Sequence, residues 1–139
     1  MIVLDTNVLS ELIKPAPMRA VTDWIASQSA TSLYTTSITQ AEILHGIMLM
    51  PSGKRRSSIE AAVAEMFSQD FGGRVLAFGS DAAQHYARIA ATRRRAGHPI
   101  SHFDAQIAAI ARASGSAVAT RNISDFQGCG LKLIDPWQE

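Results

Sequence analysis

The chain has 139 residues, 47% of them apolar and 18% charged, which argues for one folded domain (residues 1–137) with a buried core and against disorder. Thirteen Lys and Arg against twelve Asp and Glu leave a net charge of +1, so any hold on nucleic acid or a membrane surface must come from local clusters. The single cysteine, Cys129, excludes an internal disulfide framework and a cysteine-based zinc site.

Ile2–Leu4 is an unbroken apolar run and predicts a strand buried on both faces. It stops at Asp5-Thr6-Asn7, residues that favour helix caps and turns. Val8, Leu9, Leu12 and Ile13 follow at helical spacing until Pro15 and Pro17. Val21, Trp24 and Ile25 mark a second helix over about 18–29. Leu33–Thr36 is β-branched and aromatic, a second strand. Thr39 then leads a helix carrying Ala41, Ile43, Leu44, Ile47 and Met48, which ends before Pro51-Ser52-Gly53. Ile59, Val63, Met66 and Phe67 stripe a helix over about 54–70. Gly72-Gly73 turns into a third strand, Val75–Phe78. Ser80 is expected to cap a long helix with Ala83, Tyr86, Ala87, Ile89 and Ala90 inward, closed by Gly97. Ser101 opens the next helix, with Ile107, Ala108, Ile110 and Ala111 inward and Gly115 as its stop. Ala117–Thr120 and Leu131–Ile134 complete five strands. Short apolar strands alternating with helices predict an α/β fold, a parallel sheet of four or five strands with helices on both faces. Ile43–Met50, the longest apolar run, is far short of the roughly 18 residues of a membrane span. No charged stretch precedes Ile2-Val3-Leu4, so the expected location is the cytosol and no membrane is involved.

Open α/β sheets bind ligands beyond the carboxyl ends of their strands. Asp5 follows strand one, and Glu42 lies six residues after Thr36, in the expected first turn of the helix after strand two. Asp104 opens the helix before strand four, and Asn122 and Asp125 follow its end. Each acid has a simpler reading as a cap. Asp5 suits a helix start, and Thr39-x-x-Glu42 and Ser101-x-x-Asp104 fit capping boxes. Capping alone requires no shared edge, whereas this topology can gather all four acids on one. Clustered carboxylates raise one another's pKa unless a cation neutralises them. The matching ion is hard and oxygen-seeking, Mg²⁺ or Mn²⁺, and such a site suits phosphoryl chemistry.

The segment Val3-Leu4-Asp5-Thr6-Asn7-Val8-Leu9-Ser10-Glu11-Leu12 resembles the opening motif of PIN-domain proteins. Ala41-Glu42-Ile43-Leu44-His45-Gly46 resembles their second motif, and Asp104-Ala105-Gln106-Ile107-Ala108-Ala109-Ile110-Ala111 their third. Thr120–Phe126 with Ile134–Trp137 resembles the end of the domain. The ordered set runs from Ile2 to Trp137 and is most similar to VapC-like toxins of the FitB-like branch. That resemblance implies a three-layer α/β/α fold with strand order 3-2-1-4-5. It implies a Mg²⁺- or Mn²⁺-dependent endoribonuclease, the toxin of a type II toxin–antitoxin pair, acting on RNA. It further implies a symmetric homodimer and a small VapB- or FitA-like antitoxin that binds operator DNA and extends an Arg toward the acids. Residue by residue, Asp5, Glu42 and Asp104 match the family acids that hold metal. Family members place the fourth acid at the first or last position of Asn122-Ile123-Ser124-Asp125. Asp125 is favoured here, with Asn122 a neutral ligand or water holder. Thr6 and Thr120 match supporting polar positions, and each also reads as an ordinary turn or strand-end hydroxyl.

Lys54-Arg55-Arg56 and Arg93-Arg94-Arg95 read as solvated helix ends or as phosphate-backbone contacts. Arg121, beside the acids, is the better single phosphate contact. His45 and His102 lack a histidine partner at ligand spacing and read as surface or supporting residues. Trp24 and Trp137 read as packing, and Cys129 has no nucleophile pattern. A phosphotransfer receiver would also place an Asp after strand one, but Leu4 precedes Asp5 and Asn7 stands two residues on, which disfavours it. The remaining alternative is a PIN-like interaction module without catalysis, acting through its antitoxin.

Overall fold

Five short strands build one parallel sheet: β1 (Ile2–Leu4), β2 (Leu33–Thr36), β3 (Val75–Leu76), β4 (Ala117–Ala119) and β5 (Leu133–Ile134). The structure, a computed structural model, describes residues 1–139. The strand order is β3-β2-β1-β4-β5, as expected. Central β1 sets Val3 opposite Tyr34 of β2 and Val118 of β4. Six helices connect the strands: α1 (Thr6–Ile13), α2 (Arg19–Ser27), α3 (Ser37–Met48), α4 (Lys54–Glu65), α5 (Ser80–Arg95) and α6 (His102–Ser114).

Successive strand side chains point to opposite faces. Leu4 and Ala119 therefore face Val8, Leu9, Trp24, Ile43, Val63 and Phe67 on one side of the sheet. Val3 and Val118 face Ala82, Ile89, Ile107 and Ile110, from α5 and α6, on the other. Three layers result, and burial on both faces explains why β1 and β4 read as unbroken apolar runs.

Several local expectations are corrected. β3 and β5 are two residues each, shorter than Val75–Phe78 and Leu131–Ile134. Each is an edge strand paired on one side only. Ala77 and Phe78 are exposed, and Phe78 meets Tyr86 edge to face at 6.1 Å. The cap of α5 is Gly79, not Ser80, and its buried residues are Ala82 and Ile89, while Ala83 and Ala87 face solvent. The stripe over 54–70 is not one helix. After Glu65 the coil widens into a π turn, Met66–Asp70, which carries Met66 and Phe67 into the core. The apolar run at the end of α3 divides. Ile47 is buried, whereas Met48 and Leu49 are 66% and 73% exposed. No helix is long and apolar enough to cross a membrane.

Candidate active site

The chain passes from β1 outward to β2 and β3, then returns to add β4 and β5 on the other side. The strand order thus reverses between β1 and β4, where an open sheet leaves a crevice at its carboxyl edge. Asp5, Glu42, Asp104 and Asp125 all line one cleft there of about 450 Å³, together with Thr6, Arg121 and Asn122. The topology therefore brings the four acids to one edge.

Asp5 is the N-cap of α1 and only 5% exposed. Its Oδ1 accepts from the Thr6 backbone N–H at 2.8 Å and its Oδ2 from the Thr120 hydroxyl at 2.9 Å. Burial pushes the Asp5 carboxyl up to about 6, against those two hydrogen bonds. The negative charges of Asp104 and Glu42 push the same way.

Glu42 projects from the second turn of α3. The expected Thr39–Glu42 capping box does not form. Thr36 caps α3 instead, its Oγ accepting from the Thr39 N–H at 3.1 Å. The helix starts earlier because the cap is the last residue of β2 itself. That frees Glu42 for the cleft, where its Oε1 accepts from the Thr6 hydroxyl at 2.8 Å. Burial raises the Glu42 carboxyl, the Thr6 hydrogen bond opposes this, and Asp104 adds to the rise. Thr6 Oγ also lies 3.0 Å from the Thr39 hydroxyl.

Ser101 caps α6 as expected, accepting from the Asp104 N–H at 3.2 Å. Burial raises Asp104 as well. Ser101 opposes that rise, Asp125 adds to it, and Arg93 counters it. Asp125 is exposed on a 3-10 turn, Ile123–Phe126, that follows β4 and is anchored in the core by Phe126. Arg93 ties that turn to α5: its Nη1 donates to the Asp125 and Gln127 carbonyls, both at 2.8 Å, and its Nε to the His98 carbonyl at 2.7 Å. Arg93 is therefore a structural clamp rather than a freely solvated helix end.

Thr120 is fully buried behind the cleft. Besides donating to Asp5, its Oγ accepts from the Asn122 N–H at 3.1 Å and from Asn7 Nδ2 at 3.3 Å. Asn7 also accepts the Arg121 N–H at 3.2 Å. Asn7, Ser10 and Lys14, which the sequence alone does not single out as site residues, also line the cleft. The signal was available: Asn7, Ser10, Glu11 and Lys14 form a polar stripe on α1 and its end, opposite Val8 and Leu9. Glu11 is buried and accepts from Lys14 Nζ at 2.9 Å and from the Met18 N–H at 3.0 Å. These contacts, Lys14 first, lower its carboxyl. Trp137, read as packing, also lines the cleft. His45 and His102 are exposed and outside it, and Cys129 is buried on the α5–α6 side.

None of Asp5, Glu42, Asp104 and Asp125 has an ion-pair partner; the ion pairs are Lys14–Glu11, Arg19–Asp23 and Arg56–Glu60. As the side chains stand, no three His, Cys, Asp or Glu residues group closely enough to hold a metal ion. Mg²⁺ keeps several waters and takes one or two carboxylates directly. The carboxylates of Asp5, Glu42, Asp104 and Asp125 are oxygen donors of the kind such an ion takes, and they are the residues that could hold one, directly or through water. Beside the cleft runs an apolar groove of about 630 Å³, lined by Ile13, Ile43, Ile47, Met50 and Ile59 and sharing Thr6, Ser10, Lys14 and Glu42 with it.

Residues 2–127 match the PIN domain. The chain is 45% identical over 138 residues to the VapC ribonuclease Y4jK of Sinorhizobium fredii, covering 99% of both chains. It is 33% identical to the toxin FitB of Neisseria gonorrhoeae, over all of both chains. A solved structure of FitAB bound to an IR36 DNA fragment superposes with a TM-score of 0.93 at 34% identity, covering 99% of this chain and 96% of that one. The chain thus belongs to the PIN-domain family and is closely related to the VapC- and FitB-type toxins of type II toxin–antitoxin systems.

Proposed function

We propose that this chain is a Mg²⁺- or Mn²⁺-dependent endoribonuclease and the toxin of a type II toxin–antitoxin pair. The observation that carries the reading is the gathering of Asp5, Glu42, Asp104 and Asp125, unpaired, in one cleft. Similarity to a named VapC ribonuclease supports it.

Asp5 and Asp104 would hold the cation, with Glu42 and Asp125 completing the pocket and Asn122 holding water. When bound, the ion would supply a more acidic water and positive charge against the negative charge that builds on the leaving 3′ oxygen. Thr120 fixes the Asp5 carboxylate and Thr6 orients Glu42 at the cleft. Arg121 steadies the scissile phosphate. The expected products carry a 5′-phosphate and a 3′-hydroxyl. No 2′-hydroxyl takes part, so preference for RNA comes from shape and contacts.

The partner is a small antitoxin. The apolar groove beside the acids fits an apolar segment, and the acid cleft fits a guanidinium, which pairs with carboxylates as a bidentate fork. The FitAB–DNA complex supports a partner that carries operator DNA. Exposed Leu44 and Met48 on α3, with Leu49 at its C-cap, support a homodimer. Sedimentation that gives only monomer, with or without antitoxin, rejects that assembly. Inhibition that survives replacement of every basic residue of the antitoxin by Ala rejects the guanidinium.

The direct test is cleavage of RNA with Mg²⁺ or Mn²⁺, with excess EDTA, and by Asp5→Asn protein. Metal-dependent cleavage lost in the variant is expected. Full cleavage in EDTA contradicts metal-dependent hydrolysis. Intact RNA under every condition, with antitoxin-free protein that is folded and binds antitoxin in a separate assay, leaves the non-catalytic interaction module.

A further inference from the structure

The Arg121 guanidinium lies over the indole of Trp137, its Cζ 5.1 Å from the ring centroid. Both residues line the acidic cleft. Arg121 stands near four unpaired carboxylates yet forms no ion pair with any, and only its backbone N–H is hydrogen-bonded. Three contacts hold it so. Asn7 accepts its N–H at 3.2 Å, Asp135 Oδ1 accepts the Trp137 N–H at 2.9 Å, and the ring face attracts the cation. The indole packs against the core, with its Nε1 shielded from solvent and without a partner.

We propose that Arg121 and Trp137 together form a stacking platform for one unpaired nucleobase of single-stranded RNA, next to the phosphate at the acids. The proposal rests on the ribonuclease reading and assigns two residues to the seating of its substrate. A guanidinium seated on an aromatic ring keeps its outer plane for a base and its N–H edge for a phosphate. A base inside a duplex is already stacked on both sides, so the platform selects loops, ends and other unpaired segments.

The test is the affinity, by fluorescence anisotropy in EDTA, of a single-stranded RNA octamer against an octamer of abasic sites with the same phosphates. The wild type is expected to bind the base-bearing octamer about tenfold more tightly. Arg121→Lys keeps the charge and loses the plane. It should bring that ratio close to one while abasic binding is retained. In Trp24→Phe protein, Trp137 is the remaining tryptophan, and the base-bearing octamer should quench its emission. Equal binding of the two octamers by the wild type, or an unchanged ratio in Arg121→Lys, overturns the platform. Cleavage of the RNA octamer in Mg²⁺ separates the two claims. Cleavage without base preference removes the platform and keeps the enzyme. A base preference that Arg121→Lys abolishes, without cleavage, keeps the platform and removes the enzyme.

Discussion

The Thr120 hydroxyl donates to Asp5 Oδ2 at 2.9 Å, joining residues 115 positions apart at the ends of two adjacent parallel strands. The pairing of β1 with β4 is therefore also what orients Asp5, the most buried of the four unpaired acids of the cleft. Thr120→Val keeps the shape and removes the hydroxyl. Asp5 loses a bond that lowers its pKa, so the carboxyl should rise further above about 6. The acid limb of the cleavage profile should move to higher pH, and stability at neutral pH should fall by about 1–3 kcal/mol. A pH–rate profile with an unmoved acid limb counts against this role for Thr120.

Arg93 holds the turn bearing Asp125 through the Asp125 and Gln127 carbonyls and is itself held by the His98 carbonyl. Arg93→Lys preserves a charge but cannot make that fork. Loss of hydrogen bonds to a charged group should lower stability by about 1.5–3 kcal/mol. Asp125 should then wander, and Mn²⁺ affinity measured by electron paramagnetic resonance should weaken while the fold persists by circular dichroism. Unchanged Mn²⁺ binding at reduced stability would make Arg93 purely structural.

Much of this was legible from the chain. The unbroken apolar runs of β1 and β4 announced strands covered on both faces, and the acids at strand ends announced the cleft. What stayed hidden depends on contacts between distant segments. Local spacing offers Thr39 as a cap for Glu42, but Thr36 can cap because β2 runs straight into α3. Arg93 looks like one of three solvated arginines until the 123–126 turn is placed beside it. Trp137 carries no local sign of the cleft; Arg121 and the fold bring it there. The α5 stripe was misplaced because alanines mark no face clearly: Ala82 is buried and Ala83 is not.

Asn122 and Asp125 both line the cleft, and Asp125 acts electrostatically on Asp104. If Asp125 is the fourth acid, Asp125→Asn should reduce cleavage more than Asn122→Ala. Loss of one electrostatic element of a site commonly slows reaction by about 10²–10³. Rates of the two variants at saturating Mg²⁺ decide between them, and a larger loss in Asn122→Ala would reverse the assignment.

Asp5 also links stability to pH and metal. Its folded pKa, about 6, lies above the ordinary 3.8, so the folded chain binds this proton more tightly than the unfolded chain. The resulting stabilisation is present at low pH and is lost as pH rises from about 4 through about 6, an effect on the order of 3 kcal/mol. Glu42 and Asp104 are raised too and act in the same direction. Without metal at pH 7.5 the wild type therefore holds a buried charge that folding disfavours. Asp5→Asn removes that charge and keeps a residue that caps helices well. The variant should melt higher than the wild type at pH 7.5 in EDTA, with the gap closing near pH 4. Mn²⁺ binds only the folded, deprotonated acids, so it should raise the wild-type melting temperature, by about 2.7 kcal/mol of stability at a hundredfold excess over Kd. It should leave Asp5→Asn almost unmoved, with cleavage reduced by about 10²–10³. Calorimetry across pH with and without Mn²⁺ reads all of these effects. A variant less stable than the wild type at pH 7.5 in EDTA, with no Mn²⁺ shift in either protein, would mean that Asp5 is a helix cap and nothing more.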